Sequence, residues 1–459
     1  MFRLSILLAA SLVVVLGAFT VRLGETPVLP ETPYTYANIA LPAYLNVPPV
    51  QGDDNTPEDN AITDAGATLG RVLFYDRRLS QNEAISCSSC HLQSMGFSDP
   101  EALSTGFDGG KTGRNSMGLA FARYYENGHF FWDERAATLE DQVLMPIQDP
   151  VEMGMTLEGV VARLEATTFY PDLFEDAFGT PEITSDRMAR AMSQFVRSIV
   201  APNSRYDVAR QQAGGPPGQR LAGLTAQENA GLELFFEGGL CSRCHVTDLF
   251  VGDEARNNGL DATITDEGAG GGRFKTGSLR NIALTAPYMH DGRFSTLDEV
   301  IDHYSTGIRE SDNLDPRLRD AQGRPIQMRF TTVEHAALIA FLNTLTDETL
   351  ATDVRWSNPF TTPPLANESS ASSTAPQLEL VGPNPVRDQT AFRIELATPA
   401  DVVLEVYDRI GRRVATVLEG PQAGEVVVPW TPEDLDAGVY IVRLRAGGEV
   451  TTQVVTVVR

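Results

Sequence analysis

All four cysteines of this 459-residue chain occur in two copies of one short pattern, and each copy ends in a histidine. The copies are CSSCH, with Cys87, Cys90 and His91, and CSRCH, with Cys241, Cys244 and His245. Two thiols at this spacing followed by histidine are typical of c-type haem attachment, in which the thiols bond to the porphyrin and the histidine binds iron. The pattern therefore predicts two covalently bound haem c groups.

Three other chemistries use paired cysteines. A thioredoxin-like redox pair needs a βαβ context, whereas the sequence around both motifs is helical in pattern. Zinc sites built from two such pairs usually separate them by about 15–20 residues, and here the pairs begin 154 residues apart. Structural disulfides are possible in an exported chain, but they leave both histidines unexplained.

Acidic side chains dominate the charge of the molecule. Asp and Glu total 61 against 36 Lys and Arg, which gives a formal net charge of −25. Such a chain repels phosphate backbones and anionic lipid surfaces, so we expect no nucleic-acid partner. A basic partner protein or a small neutral substrate fits better. The hydrophobic content of 42% is sufficient for buried cores and excludes a disordered chain.

An apolar run from Leu4 to Phe19 follows a short, positively charged start. This arrangement is typical of a secretory signal, which we assign to residues 1–23. An uncleaved membrane anchor is the alternative, but the run is shorter than the ~20 residues that a spanning helix needs. Export agrees with the haem motifs, because bacteria attach c-type haem outside the cytoplasm. No stable membrane span is expected after signal removal.

Amphipathic helices lead into both haem motifs. Apolar residues within 69–74 share one helix face before CSSCH, and a capping box at Thr225 and Glu228 begins a similar run before CSRCH. The repeat indicates an internal duplication of a cytochrome-c-like unit. Further helices are predicted over 157–178 and 188–199, and another begins at Thr331.

The sequence changes character after residue 356. Ser, Thr, Pro and Ala dominate 357–377, which predicts a flexible linker, and short alternating strands follow. We therefore predict a mainly α protein with two cytochrome-c-like helical haem domains, followed by a small C-terminal Ig-like β-sandwich. The predicted segments are the signal (1–23), an extended lead-in (24–60), the first haem domain (61–215), the second (216–356), the linker (357–377) and the sandwich (378–459).

Two longer stretches accompany the haem motifs, FFWDERAATLEDQVLMPIQDPVEMG at 130–154 and SLRNIALTAPYMHDGRFSTLDEVIDHY at 278–304. With both motifs they resemble the bacterial dihaem cytochrome c peroxidases and their MauG relatives, in family order, over roughly residues 60–350. The resemblance implies a peroxidatic haem in 61–215 and an electron-transfer haem in 216–356. It also implies hydrogen peroxide as substrate and a small electron-donor protein, such as a monohaem cytochrome, as partner.

The resemblance assigns three catalytic residues around the haems. Trp132 matches the tryptophan between the two haems. Glu152 and Gln142 match the polar pair on the peroxide side of the first haem, where Glu152 would move a proton and Gln142 would orient the oxygens. Pro146 matches a proline of the pocket wall. On the residues alone, Trp132 is also compatible with ordinary core and Glu152 with a surface acid.

The resemblance further implies a calcium site between the haem domains. Asn115 and the backbone carbonyls of Thr285 and Pro287 match its ligands. An all-oxygen shell of this kind suits Ca²⁺.

Two departures from the simple peroxidases bear on the iron ligands. Those enzymes carry a histidine about sixteen residues after the first haem motif, whereas residues 92–114 here contain none. The first haem is therefore expected to be open to peroxide without reductive activation. Fourteen residues beyond His290, where the simple peroxidases have methionine as second-haem ligand, this chain has Tyr304, the residue type of MauG.

Helix periodicity supports Tyr304 as ligand of the second iron. A capping box at Thr296 and Glu299 begins a helix whose apolar face carries Leu297, Val300, Ile301 and Tyr304. Tyr304 as a core aromatic, and His303 as the ligand, are the alternatives. His303 would point about 100° away from that face. A third departure is Glu134, which stands where the family usually has glycine.

The C-terminal segment resembles the sorting domains of type IX secretion. The matching pieces are VGPNPVRDQTAFRIEL, VYDRIGRRVATV and the final DLDAGVYIVRLRAGGEVTTQVVTVVR. The resemblance implies export to the periplasm and then passage, with the type IX machinery as partner, to the outer surface or medium. A generic adhesive or spacer sandwich is the alternative.

Three functions remain open from the sequence. The first is a peroxidase that reduces hydrogen peroxide to water with electrons passed through the second haem. The second is a MauG-like oxidase that modifies a protein or organic substrate. The third is a non-catalytic dihaem electron carrier, which would have two six-coordinate irons.

Overall fold

The computed structural model describes residues 26–238, 241–360 and most of 376–457, excluding 383–385, 388, 408–411, 433–434, 436–437 and 447–448. The predicted signal (1–23) and most of the predicted linker lie outside the described residues. The chain divides into two compact units, one before and one after residues 361–375. Among the described residues, no helix combines the length and apolarity needed to cross a bilayer.

The first unit is helical and contains both haem motifs. Its described α-helices are α1 (Pro48–Gly52), α2 (Asp64–Tyr75), α3 (Cys87–Cys90), α4 (Leu139–Gln148), α5 (Leu157–Glu165), α6 (Tyr170–Phe178), α7 (Ser185–Arg197), α8 (Arg205–Ala213), α9 (Ala226–Glu233), α10 (Leu297–Asp302) and α11 (Thr332–Asn343). Side chains of Thr63, Thr138, Thr156 and Thr184 cap α2, α4, α5 and α7. The predicted capping boxes at Thr225, Thr296 and Thr331 are confirmed.

One helix prediction was wrong. The stretch 157–178 forms two helices, α5 and α6, rather than one. Pro171 lies in the first turn of α6, where its missing N–H costs nothing, whereas inside a longer helix it would remove a hydrogen bond and clash with the preceding turn.

Two close helix pairs repeat the same construction. α2 packs on α7, and α9 packs on α11. At the first crossing, a Cβ on Gly70 would lie 2.0 Å from the Ala191 carbonyl oxygen; at the second, a Cβ on Gly231 would lie 1.9 Å from that of Ala337. Only glycine permits so close an approach. The matching glycines support the duplication inferred from the sequence.

Aromatic clusters beside the two crossings also correspond. Phe74 contacts Phe97 and Phe195 in the first, with ring centroids 6.0 and 5.2 Å apart. Phe235 contacts Phe250 and Phe341 in the second, at 5.5 and 5.4 Å. These rings are fully buried and form an apolar cluster beside the histidine of each haem motif.

The predicted lead-in packs on the helical unit. It contains α1 and single turns at Ala43–Leu45 and Glu58–Asn60. Tyr36 is 1% exposed, and its hydroxyl donates to the Arg355 carbonyl at 2.5 Å. The segment is thus anchored near the C-terminal end of the helical unit and is not extended throughout.

The second unit is β-rich as predicted, but its described strands form one five-stranded antiparallel sheet rather than the two packed sheets of the predicted Ig-like sandwich. Its strands are β1 (Gln377–Leu380), β2 (Thr390–Tyr407), β3 (Arg413–Trp430), β4 (Gly438–Ala446) and β5 (Glu449–Val457). The hydrogen-bonded order is β1-β2-β4-β5, with β3 also on β2. The sequence predicted separate strands at 391–396 and 402–407, but both are parts of β2. The pairing of β2 with β3 is irregular between Leu396 and Ala400 and then continues, so the strand is not interrupted. Alternate residues such as Phe392, Ile394 and Leu404 form its own core.

Candidate active site

Each motif histidine is fixed by a backbone carbonyl. His91 Nδ1 lies 2.8 Å from the Phe97 carbonyl oxygen, and His245 Nδ1 lies 3.1 Å from that of Phe250. Phe97 and Phe250 have positive φ angles of 62° and 53°, which point their carbonyls back at the rings. With Nδ1 donating, Nε2 is the nitrogen available to a metal.

The chemistry of both motifs fits haem attachment better than its alternatives. All four cysteines are free thiols, which excludes the disulfide alternative in this structure. The first motif forms α3 and the second a single turn at Cys241–Arg243, and residues 26–238 and 241–360 contain no strand of a thioredoxin-like unit. In the described part of the chain, no group of three or more His, Cys, Asp or Glu is placed to hold a metal ion, as zinc would require. Burial lowers the pKa of His245 to about 4 and also lowers that of His91, so both rings are neutral as iron ligands must be.

One continuous cavity of about 790 Å³ connects the two motifs. Both thiol pairs and both histidines line it, together with apolar rings and helix side chains. The predicted residues that also line it are Asn115, Trp132, Gln142, Pro146, Glu152, Thr285, Pro287 and Tyr304. The structure therefore brings every sequence-predicted site residue to one cavity.

The polar pair lies on α4 and the turn that follows it. Gln142 and Pro146 are one turn apart on α4, and both line the cavity. Asp149 ends the helix, and its carboxylate accepts from the backbone N–H of Glu152 at 3.1 Å. Desolvation and the neighbouring Asp149 raise the pKa of Glu152, while Arg135 opposes them. A raised pKa suits a carboxyl group that must take up and release a proton.

Trp132 belongs to the loop 130–136, which short contacts hold in place. Its indole Nε1 donates to the Asn115 carbonyl at 2.8 Å, and its own carbonyl accepts from the Lys275 backbone N–H at 2.8 Å. Arg114 pairs with Asp133 at 2.6 Å and with Asp266 at 2.7 Å. The indole is thus fixed between segments that precede and follow the second haem motif.

The predicted calcium ligands Asn115, Thr285 and Pro287 all line the cavity. Asn115 is 6% exposed, and its Nδ2 donates to the carbonyls of Glu101 and Ala102 at 3.2 and 3.3 Å. This leaves Oδ1 on the opposite side of the amide. Amide and carbonyl oxygens are suitable donors for Ca²⁺.

Tyr304 and His303 have different surroundings. Tyr304 lines the cavity with Leu297, Val300 and Ile301, as the helix pattern predicted, and its hydroxyl lies 3.5 Å from Asn258 Nδ2. His303 is outside the cavity lining, with Nε2 3.2 Å from the Asn258 carbonyl. Both begin a π-turn, His303–Gly307, that widens the end of α10. Burial raises the pKa of Tyr304 to about 12, so binding as a phenolate requires a strong Lewis acid such as ferric iron.

Sequence reasoning did not assign roles to several residues that the structure places in this site. Arg135 acts on Glu152 through its charge, and Asn258 contacts both Tyr304 and Met289. Arg135 is next to the noted Glu134 and was within reach of pattern reasoning. Asn258 lies 46 residues before Tyr304, and no local pattern signals that contact.

The chain matches a family and several characterised relatives. A family profile described as di-haem cytochrome c peroxidase matches residues 64–214. The methylamine utilization protein MauG of Methylorubrum extorquens is 34% identical, over 64% of this chain and 82% of its own length. The cytochrome c551 peroxidase of Nitrosomonas europaea is 31% identical, over the same shares.

Solved structures agree with these relatives. A crystal structure described as a MauG-like protein associated with microbial copper homeostasis is 37% identical, with a TM-score of 0.60, covering 71% of this chain and 99% of that chain. The diheme peroxidase BthA from Burkholderia thailandensis, at 23% identity and a TM-score of 0.53, shares the fold. With two haem motifs on one cavity and relatives of this coverage, the chain belongs to the dihaem cytochrome c peroxidase and MauG family.

Proposed function

We propose that the chain is a dihaem c-type peroxidase that reduces hydrogen peroxide to water at the haem held by His91. The observation that carries the proposal is the cavity shared by both haem motifs, which Glu152, Gln142 and Trp132 also line. Burial raises the pKa of the Cys87 and Cys90 thiols, and Glu152 is close enough to both for its charge to raise the pKa of each further. Haem, when bound, would supply an iron that binds peroxide and that stores the oxidising equivalents taken from it. Cys87 and Cys90 would hold the first group, and Cys241 and Cys244 the second.

Glu152 and Gln142 would act on the peroxide itself. Glu152 would take the proton from one peroxide oxygen and deliver it to the other, which leaves as water. The Gln142 amide donates a hydrogen bond that orients the outer oxygen. Pro146 closes the wall beside them, since it lines the same stretch of cavity one turn along α4.

Trp132 and Tyr304 would connect this site to the second haem. Trp132 provides an aromatic path for electrons because its indole is held between the two halves of the unit. Tyr304 would bind the second iron as an anionic oxygen ligand, which favours the ferric state and lowers the potential relative to a thioether. A Ca²⁺ held by Asn115 and the carbonyls of Thr285 and Pro287 would stiffen the segments on which Trp132 rests.

The ferric protein as isolated tests the proposal. One high-spin and one low-spin haem are expected by electron paramagnetic resonance, and added peroxide should change the Soret band within seconds. Two low-spin haems whose Soret band does not change with peroxide would identify an electron carrier instead. Treatment with a calcium chelator should slow the reaction if the calcium site exists.

A MauG-like oxidase is the second candidate function. Tyr304 on the cavity wall, together with the absence of histidine from residues 92–114, favours it over a peroxidase that needs prior reduction. Rapid multiple turnover with a reduced monohaem cytochrome supports the peroxidase. Slow turnover with that donor, but peroxide-dependent modification of an organic or protein substrate, supports the oxidase.

The C-terminal unit is proposed to be a type IX sorting domain, and the protein to be exported to the periplasm and then to the outer surface or medium. The separate core of the β-sheet and the tail pieces given above support this role. Deletion of residues 378–459 should leave both haems attached and retain the protein in the periplasm. Unchanged surface localisation of that variant would contradict it.

A further inference from the structure

Glu134 has a backbone conformation that its side chain disfavours. Its φ angle is 55°, in the left-handed region that glycine adopts freely and other residues rarely adopt. Such strain persists where surrounding contacts hold it, and it is concentrated at functional sites. The contacts here are made by the carboxylate, which accepts from the Tyr125 hydroxyl and, at 3.0 Å, from Asn127 Nδ2.

Tyr125 is the buried partner in this contact. It is 1% exposed, lines the cavity and donates its phenolic proton to Glu134. Burial and the adjacent carboxylate hold the pKa of Tyr125 far above its usual range, so the phenol is protonated at rest. A phenol already bonded to a carboxylate can lose an electron and its proton together, which avoids a charged radical in an apolar site.

Lys275 joins this pair to the Trp132 loop. Its Nζ lies 3.8 Å from the centre of the Tyr125 ring and donates to the His129 carbonyl at 2.5 Å, while its backbone N–H donates to Trp132. Burial lowers the pKa of Lys275 to about 7, which limits the positive charge held against the ring. The arrangement extends from the cavity through Tyr125 and Glu134 to the exposed Asn127.

We propose that Tyr125 and Glu134 form a proton-coupled electron relay between the haem cavity and a one-electron donor outside, such as a phenol or a reduced small cytochrome. The inference rests on the proposed function, because reaction with peroxide supplies the oxidant. Tyr125 gives one electron to the oxidised haem site as its O–H bond breaks and the proton passes to Glu134. The outside donor then returns one electron to Tyr125, and Glu134 returns the proton.

Freeze-quench electron paramagnetic resonance of the ferric holoprotein mixed with hydrogen peroxide tests the relay. The wild type should give a radical signal that narrows when the protein contains ring-deuterated tyrosine. Tyr125→Phe should abolish the signal, and Glu134→Gln, which keeps the shape of the side chain, should lower its yield at least tenfold. Tyr124→Phe is the matched control, because Tyr124 is also buried on the cavity and its hydroxyl has no hydrogen-bond partner among the described residues.

Glu134→Gly separates the relay from a structural role. This variant relieves the backbone strain, so its melting temperature should equal or exceed that of the wild type. Its radical yield should nevertheless fall at least tenfold, as in Glu134→Gln. A tyrosine signal of unchanged yield in Tyr125→Phe or in both Glu134 variants overturns the relay.

The failure of the relay and the failure of the proposed function are distinguishable. A Soret change without any tyrosine radical overturns only the relay. An unchanged Soret band overturns the peroxidase, and a flash-generated ruthenium(III) complex then replaces peroxide as oxidant. Under the flash, tyrosine oxidation should be at least tenfold slower in Glu134→Gln, and equal rates would overturn the relay as well.

Discussion

Replacement of Glu152 by glutamine removes one proton-carrying group while keeping the size of the side chain. Glu152 is half-buried on the cavity and its backbone N–H is fixed by Asp149, so the amide should occupy the same place. General acid–base groups contribute typically 10²–10⁴-fold to rates. We expect the second-order rate of the peroxide reaction to fall about 10³-fold, which corresponds to about 4 kcal/mol of barrier.

The pH dependence gives a sharper test than the rate alone. Only ionised Glu152 can take the first proton, so the rate should fall as pH decreases through its pKa. That pKa is raised by burial and by Asp149, and lowered by Arg135. Asp149→Asn should therefore move the acid limb to lower pH and Arg135→Gln should move it to higher pH, while Glu152→Gln should lack the limb.

Stopped-flow mixing of the ferric protein with peroxide, followed at the Soret band from pH 4 to 8, measures these quantities. Haem content should be unchanged in all three variants, since none of them touches a motif residue. A Glu152→Gln rate within threefold of wild type, or an acid limb that persists in it, would refute the assignment. An acid limb at the same pH in Asp149→Asn and Arg135→Gln would show that a group other than Glu152 titrates.

Three further predictions concern the second haem and the scaffold. Tyr304→Met should raise the potential of the second haem in a spectroelectrochemical titration, whereas His303→Gln should leave it unchanged; the reverse result would make His303 the ligand. Gly70→Ala should lower the free energy of unfolding by about 2 kcal/mol, because its Cβ would overlap the Ala191 carbonyl. Gly52→Ala is the control: a Cβ there would have nothing within 4 Å, so the free energy of unfolding measured by denaturant titration should change little. Arg280→Met should cost about 3 kcal/mol, because it removes the ion-pair partner of Asp207 where both side chains are 1% exposed. Arg205→Met should cost under about 1 kcal/mol, because the Arg205 side chain is 61% exposed.

Local patterns predicted the elements that carry local signals. The capping boxes at Thr225, Thr296 and Thr331 and the helices that enter both haem motifs follow from side chains close in sequence. The pattern also favoured Tyr304 over His303 on the cavity face. It failed at 157–178, where apolar periodicity continues through Pro171 but the backbone cannot, and at the strand that continues past Leu396.

Long-range contacts were beyond pattern reasoning. Asn258 and Tyr304 are 46 residues apart, and Trp132 is held by Asn115 and Lys275 from either side of the second motif. The carbonyls that fix His91 and His245 depend on positive φ angles at two phenylalanines, a conformation that their side chains do not suggest. The resemblance to a family located Trp132, Asn115 and Tyr304 in the site, but no local pattern indicates the hydrogen bonds that hold them.

The duplicated scaffold explains how one fold can hold two haems for different tasks. Both halves share the glycine crossing, the aromatic cluster and the carbonyl-bound histidine, so the residues that would hold each haem through its histidine correspond. Differences between the two sites must therefore come from the other residues of the cavity wall. On the cavity wall, the first half presents Gln142 from α4 and Glu152 from the turn after it, and the second presents Tyr304 from the π-turn after α10. Because these elements lie outside the repeated core, we expect that exchange of a residue such as Tyr304 for methionine would change the potential of one haem without disturbing the packing that would hold the other.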